Sequence, residues 1–160
     1  MDESIRSLEE RLRRTEDAEQ IRALWHRYML LFDRGGAAAE IGSMFTDHAV
    51  FESRGADGPD RALRGRESIV AEFFEVVTPE RPTFDERVYS GHQGTTCQVE
   101  VDGDEAQLRG RFFELTGRGK GTLLTVGGFH TLALRREPSG WRISRLCILA
   151  NFVRNAASLS

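Results

Sequence analysis

The stretch Thr95-Thr96-Cys97-Gln98-Val99-Glu100-Val101-Asp102-Gly103-Asp104-Glu105-Ala106-Gln107-Leu108 decides the fold. Cys97, Val99 and Val101 alternate with Gln98 and Glu100, the period of two that gives a strand one apolar and one polar face. Asp102-Gly103-Asp104 is a hairpin signal, and the chain returns as a second strand over 105–115. Further along, Leu123 to Arg135 and Trp141 to Val153 alternate again and are joined through Glu137-Pro138-Ser139-Gly140, so an antiparallel meander is predicted. Gly127-Gly128 inside the third long strand costs pairing stability and predicts a bulge or sharp bend. Bent sheets make cups.

Toward the amino end the period lengthens. Ile21, Leu24, Trp25, Tyr28, Met29 and Phe32 repeat at helical spacing and put one broad apolar stripe on one face, which predicts a helix that covers a core. Asp33-Arg34-Gly35-Gly36 ends it, because glycine accepts the left-handed conformation that closes a helix. Upstream, Ile5, Leu8 and Leu12 are thinly apolar among charged residues and predict an exposed packing arm over residues 1–15. Ala37 to Phe45 reads as a short helix, Ala49 to Ser53 as a strand, Arg54 to Arg66 as a long loop and Glu67 to Val77 as a further helix stopped by Thr78-Pro79. Residues 16–155 form one predicted domain and 156–160 a tail. Helices first and long strands afterwards indicate an α+β layer fold.

Composition narrows the function. The chain has 160 residues, 39% hydrophobic and 29% charged, enough for a core that needs neither metal nor disulfides. A net charge of -3 with both signs interspersed gives no basic stripe for a phosphate backbone, so nucleic acid is not an expected partner. Cys97 and Cys147 lie in strand-like segments and read as two buried thiols, which fits a reducing cytoplasm. The acidic start Met1-Asp2-Glu3-Ser4 has no apolar segment behind it, and no run reaches bilayer length, so neither export nor a membrane partner is expected. His26, His48, His92 and His130 show no metal-ligand spacing, and no dinucleotide fingerprint follows a strand, so no metal and no cofactor are expected. Gly117 to Thr122 holds glycines and a lysine, but Gly121 follows the lysine where a phosphate loop needs Ser or Thr, leaving a hairpin tip.

Several polar residues sit where apolar ones are expected. Asp33 lies at the carboxyl end of the striped helix, where the dipole disfavours a negative charge by roughly 0.3–1 kcal/mol. It either shapes the turn or finds a cationic or donor partner. His92, in Ser90-Gly91-His92-Gln93-Gly94, precedes a strand, and its ring is either exposed or swung into a pocket. Trp141, Ile143, Arg145, Cys147, Leu149, Asn151 and Val153 share a face by strict alternation, so Arg145 and Asn151 are polar intruders on an apolar face. Arg145 must then pair with a carboxylate, face a ligand oxygen, or lie on a partly wet face. His130 alternates with Val126, Leu132 and Leu134 and is expected to point inward.

The ordered segments Tyr28-x-x-x-x-Asp33-Arg34-Gly35, Met44-Phe45-Thr46-Asp47-x-Ala49-Val50-Phe51, Gly65-Arg66-Glu67-Ser68-Ile69, His92-x-Gly94-x-x-x-x-Val99 and Gly128-x-His130 ahead of Gly140-Trp141-Arg142-Ile143 span nearly the whole chain. In that order they resemble the SnoaL-like branch of the nuclear transport factor 2-like superfamily, closest in pattern to the scytalone dehydratase, hexachlorocyclohexane dehydrochlorinase and bile-acid dehydratase group. The resemblance implies a cystatin-like α+β barrel, a cone-shaped curved antiparallel sheet wrapped around a pocket with three to four amino-terminal helices. It also implies an Asp33–His92 pair, with His92 as the base and Asp33 fixing its tautomer, and a pocket role for Tyr28 and Arg145. His130, Asn151, Phe51 and Trp25 complete the expected substrate-binding set. Phe51 departs from the scytalone pattern, in which a tyrosine activates water, and the 106–112 strand carries no second histidine. The expected activity is a cofactor-independent lyase, dehydratase-like, or an isomerase on a small cyclic apolar substrate. The alternatives are a non-catalytic ligand-binding or dimerisation module and a polyketide cyclase. Relatives of this pattern imply a homodimer or homotrimer built on the open sheet.

Overall fold

The alternating strands close on a helix too apolar on one side to face water, and both periodicities are satisfied at once in a computed structural model that describes residues 3–55, 59–78, 90–118 and 122–156. The elements run α1 (Glu3–Arg34), α2 (Ala38–Gly42), β1 (Phe45–Gly55), β2 (Arg61–Arg64), α3 (Arg66–Ile69), a π-helical turn (Val70–Phe74), α4 (Glu75–Val77), β3 (Ser90–Asp102), β4 (Glu105–Arg118), β5 (Thr122–Glu137) and β6 (Gly140–Ala156). They form an α+β fold in which one six-stranded curved sheet, ordered β2-β1-β6-β5-β4-β3, carries the helices. The hairpin tip at 119–121 and the tail at 157–160 lie outside the described residues.

Strands β3 to β6 are antiparallel, as the meander requires, and Gly103 turns the first hairpin at φ 59°. Strand β1 joins β6 in parallel, which makes the sheet mixed rather than purely antiparallel. The expected loop at 54–66 also contains an edge strand, β2, paired with β1 from Val50↔Arg64 to Ser53↔Arg61. Four exposed or half-exposed residues give such a strand no period to read. The helix expected over 67–77 is present, but Val70–Phe74 widens to a π turn that drives Phe73 and Phe74 into the core.

The inner face of the sheet is built by alternation. Ala106, Leu108, Leu132, Leu134, Ile143 and Leu146 are buried there. Against them α1 lays Ile21, Trp25, Tyr28 and Met29. Gly94 and Gly110 make the slot for Trp25, since a Cβ at either position would stand 2.7 and 2.4 Å from ring atoms of the indole. At the other end Tyr28, Phe32, Phe45, Phe51, Phe73 and Phe74 form a continuous aromatic cluster. Cys97 and Cys147 are free thiols, half-buried rather than buried, and they sit on opposite faces of the sheet, with Cys97 packed against the core.

Helix α1 is continuous, and its expected change of character falls at Asp17. Ile5, Leu8 and Leu12 before it remain exposed. Asp17 is buried and accepts hydrogen bonds from the Arg136 guanidinium at 2.6 Å and the Trp141 indole at 3.2 Å. Arg136 in turn lies over the Trp141 ring at 4.4 Å and reaches Asp104. These bonds hold the Asp17 carboxyl below the usual carboxylate range. No helix among the described residues is long and apolar enough to cross a membrane.

Truncation of Asp17 leaves the Trp141 N–H and the guanidinium short of an acceptor, at about 1–3 kcal/mol. Asp17→Ala is expected to lower Tm by several degrees, as measured by circular dichroism. Because the folded-state pKa is depressed, the contribution of Asp17 is present above the unfolded value of about 3.9 and is lost as pH falls through the folded one. The gap between Asp17→Ala and the wild type should therefore narrow in acid, and a gap that stays constant would remove Asp17 from the account.

Candidate active site

Helix α1 ends at Arg34, and the half-buried carboxylate one residue earlier turns off the helix axis toward β3. Asp33 accepts the His92 backbone N–H at 2.7 Å and lies 2.5 Å from the ring Nδ1. An ionised carboxylate only accepts, so Nδ1 carries the proton and Nε2 presents a lone pair. The backbone contact fixes where His92 starts, and the ring contact fixes which way it points. Their side chains are 7% and 15% exposed, so the pair is shielded without being sealed.

His92 shares the inner face with β4 and β5. Cross-strand pairing sets His92 opposite Glu114 and Glu114 opposite Val126, and in the next inward rows it sets Phe112 opposite Gly128 and Gly110 opposite His130. Phe32 packs edge-on to the His92 ring at 5.0 Å and Phe112 lies at 5.8 Å. Beyond Phe112, His130 stacks on the same ring at 4.2 Å with planes 16° apart. Glu114 Oε2 stands 3.7 Å from His92 Nε2. The result is one histidine between two carboxylates, enclosed by aromatic edges.

Tyr28 and His130 are almost wholly buried and each keeps its proton arrangement for that reason. Burial pushes the Tyr28 phenol pKa up, and the charges of Glu114 and Asp33 push it further, so the hydroxyl remains a donor. Burial lowers His130 to about 3, and a protonated His92 would push it the same way, so its imidazole is neutral at physiological pH. The Tyr28 ring meets His130 edge-on at 5.7 Å. Asp33, His92 and Glu114 do not make a set that could hold a metal, and no such group occurs among the described residues.

The chain matches the SnoaL-like domain over residues 13–146. It belongs to that family. A nuclear transport factor 2-like protein with a cystatin-like fold from Novosphingobium aromaticivorans superposes with a TM-score of 0.70 at 25% identity, covering 89% of this chain and 87% of that one. The beta subunit of benzoate 1,2-dioxygenase from Burkholderia mallei has a TM-score of 0.68 at 19% identity over 84% of this chain and 90% of its own. A protein assigned as a scytalone dehydratase from Novosphingobium aromaticivorans has a TM-score of 0.66 at 12% identity over 86% and 88%. The last two likenesses speak to the fold alone. No curated protein matches the sequence.

Within this SnoaL-like frame three expected pocket residues, Arg145, Asn151 and Phe51, lie elsewhere. Arg145 faces outward, 55% exposed, and donates to Glu52 at 2.6 Å. The reason is a bulge: Ala133 pairs with Arg145 while Leu134 pairs with Ile143, so Ser144 is an extra residue that reverses the alternation. Leu146 takes the inward place. A second bulge, where Gly127 pairs with Phe152 and Gly128 with Ala150, leaves Asn151 exposed. The strand backbones close to such a distance that a Cβ on Gly128 would lie 1.9 Å from the Leu149 carbonyl oxygen. Phe51 is fully buried against Phe73 at 4.2 Å, in the aromatic core rather than beside His92. Trp25 donates its indole N–H to His130 Nδ1 at 3.1 Å.

Glu114, Phe32 and Phe112 are site residues that the sequence reading passed over. Extending the inward series Ala106, Leu108, Gly110 and Phe112 by two residues reaches Glu114, so alternation held the signal. An open hollow over Glu100, Glu105, Arg135 and Ser144 brings together no comparable histidine–carboxylate pair.

The lowered pKa of His130 carries a pH dependence. Between its ordinary value of 6.5 and about 3 the unfolded chain takes up a proton that the folded chain refuses, so stability is complete above that window and drains as pH falls through it. His130→Gln is expected to show a shallower fall of Tm with acid than the wild type. Parallel curves for the two proteins would contradict the neutral imidazole.

Proposed function

We propose that the chain is a cofactor-independent lyase, carrying out dehydration or a similar elimination, or an isomerase, on a small cyclic apolar substrate. The observation that supports this reading is the double grip of Asp33 on His92, through the backbone N–H and the ring. The substrate contributes an acidic C–H beside an electron-withdrawing group. His92 Nε2 removes the proton, Asp33 balances the imidazolium that forms, and the neutral Tyr28 phenol donates to the oxygen that gains charge or departs. Aromatic walls from Phe32 and Phe112 suit a ring. Two unpaired thiols, Cys97 and Cys147, support work in a reducing, cytoplasmic setting.

The test uses 3-hydroxycyclohexanone, whose loss of water gives a conjugated enone read by ultraviolet absorbance. His92→Ala and Asp33→Asn should each reduce the rate by about 10²–10⁴-fold with circular dichroism and melting unchanged. Full activity in either variant rejects the dyad. Loss in Asp33→Asn alone points to carboxylate chemistry of the cyclase type, and binding without product in the wild type points to a ligand-holding module.

The chain is also proposed to self-associate through the outer face of its sheet. There Leu149 and Phe152 are 41% and 43% exposed, with Phe113 beside Phe152 and Arg109 and Arg111 stacked on Phe129. Contiguous apolar surface of this kind marks association sites. Phe152→Glu is expected to shift sedimentation velocity from dimer or trimer to monomer, and a wild type that sediments as a monomer removes the proposal.

A further inference from the structure

Trp25 was expected to line the substrate pocket, and its actual partner gives it a different task. The edge of the indole's six-membered ring is seated on two glycines of neighbouring strands, Gly94 on β3 and Gly110 on β4. It spends its only polar hydrogen on His130 Nδ1, at 3.1 Å in a buried setting. An indole nitrogen donates and never accepts, so Nδ1 must present a lone pair. A neutral imidazole has one ring proton, which therefore sits on Nε2. The tautomer of His130 is set by a residue on another element, not by the solvent.

The Nε2 proton then has a definite place. No described side chain or backbone group accepts it, whereas every sealed side-chain nitrogen and oxygen among the described residues has a partner. An Nε2 without an acceptor must therefore border accessible space. The Tyr28 hydroxyl, on a residue 2% exposed, is in the same position. The two rings lie beside each other and near His92, with the His130 ring centre 5.7 Å from that of Tyr28 and 6.4 Å from that of His92. The rings around His130 are Trp25 and Tyr28 from α1, His92 from β3 and Phe112 from β4, and the one charge that acts on it, that of a protonated His92, opposes a second proton on its ring.

We propose that His130 is a neutral hydrogen-bond donor for the oxygen of a carbonyl substrate, and that Trp25 is the positioning residue that fixes the donor on Nε2. This rests on the reading of His92 as the base, and it narrows the substrate to a cyclic ketone or a related carbonyl compound. His92 Nε2 takes the proton from the carbon next to the carbonyl. The C–H electron pair becomes the C=C bond, and the carbonyl π pair moves onto oxygen, which accepts the hydrogen bond from His130. The enolate expels a β-hydroxyl, which leaves as water with the proton held by His92, or, where a β,γ double bond extends it to a dienolate, recovers the proton at the γ carbon as that double bond shifts into conjugation. A neutral imidazole suits the task because it stabilises the oxyanion without surrendering its own proton.

The wild type can be tested without any variant. Long-range ¹H–¹⁵N correlation spectra of uniformly labelled protein at neutral pH should show His130 as a single neutral tautomer protonated on Nε2. A tautomer protonated on Nδ1, or a cationic ring, overturns the proposal. Absorbance titration with 4-nitrophenolate, a stable mimic of an enolate, gives the second readout. Saturable binding is expected, weakened about tenfold in His130→Ala and in Trp25→Phe, the loss of one net hydrogen bond. Trp25→Phe should also release the tautomer to a mixture in the same spectra, which a purely structural role for the indole would not do. Equal phenolate affinity in all three proteins, or none in the wild type, overturns the proposal. Exchange of the α-protons of cyclohexanone in D₂O reports on His92 separately. If exchange is absent while the tautomer and phenolate binding stand as expected, the base assignment fails and the oxygen-binding role of His130 is supported.

Discussion

One carboxylate joins the last turn of α1 to the first turn of residues in β3. Asp33 sits where the exposed carbonyls of a helix end make a negative charge costly, and its two hydrogen bonds to His92 offset that cost. Because one of the two bonds is to backbone, the contact is also a structural clamp: it sets the height at which β3 enters the sheet relative to α1. The ring bond then follows from a backbone position already determined. Ring orientation and chain registration thus share a single anion, and the pair cannot drift without moving the strand.

Around that anion the charges are unequal in a useful way. Tyr28 and His130 are the most deeply buried polar side chains near His92, and burial keeps both uncharged. His92 has carboxylates on either side and lies nearer the surface. A proton on His92 meets negative charge, whereas Tyr28 and His130 are neutral. The ordering of environments from wet to dry separates His92 from the two buried groups more sharply than residue type alone would, since two of the three are histidines of the same intrinsic basicity.

Periodicity revealed most of this arrangement because each element obeys one period along most of its length. The stripe from Ile21 to Phe32 faces the sheet, with Trp25 and Tyr28 at its centre, and the Asp102-Gly103-Asp104 turn fixes the register of the β3–β4 hairpin. Alternation fails where a strand carries an extra residue. Ser144 and Asn151 each interrupt the count in β6, so Arg145, which parity places inside, stands outside with Glu52. A bulge is a property of two strands together, and β6 alone holds no mark of it; Gly127-Gly128 marks the second from the partner strand. The parallel pairing of β1 with β6 was equally hidden, because neither strand's pattern depends on the direction of its neighbour. Asp17 was illegible for another reason: its partners Arg136 and Trp141 lie more than a hundred residues away, and a lone aspartate in a charged helix resembles its neighbours.

The two polar anchors of α1 occupy opposite ends of its buried half. At Asp17 the carboxylate is saturated by a guanidinium and an indole, and the Arg136 cation is shared with Asp104 and the Trp141 face. Nothing there is left to bind a further group. At Asp33 the carboxylate is satisfied too, but its partner's second nitrogen is not committed to a hydrogen bond, since Glu114 at 3.7 Å is too far for a good one. The closed anchor can therefore bear the mechanical role of seating the helix, which frees the other end to hold polar atoms whose bonding is incomplete. Between them the Trp25 indole packs directly on Gly94 and Gly110. Incomplete hydrogen bonding at one end of a helix is tolerable only because the other end and the middle are over-determined.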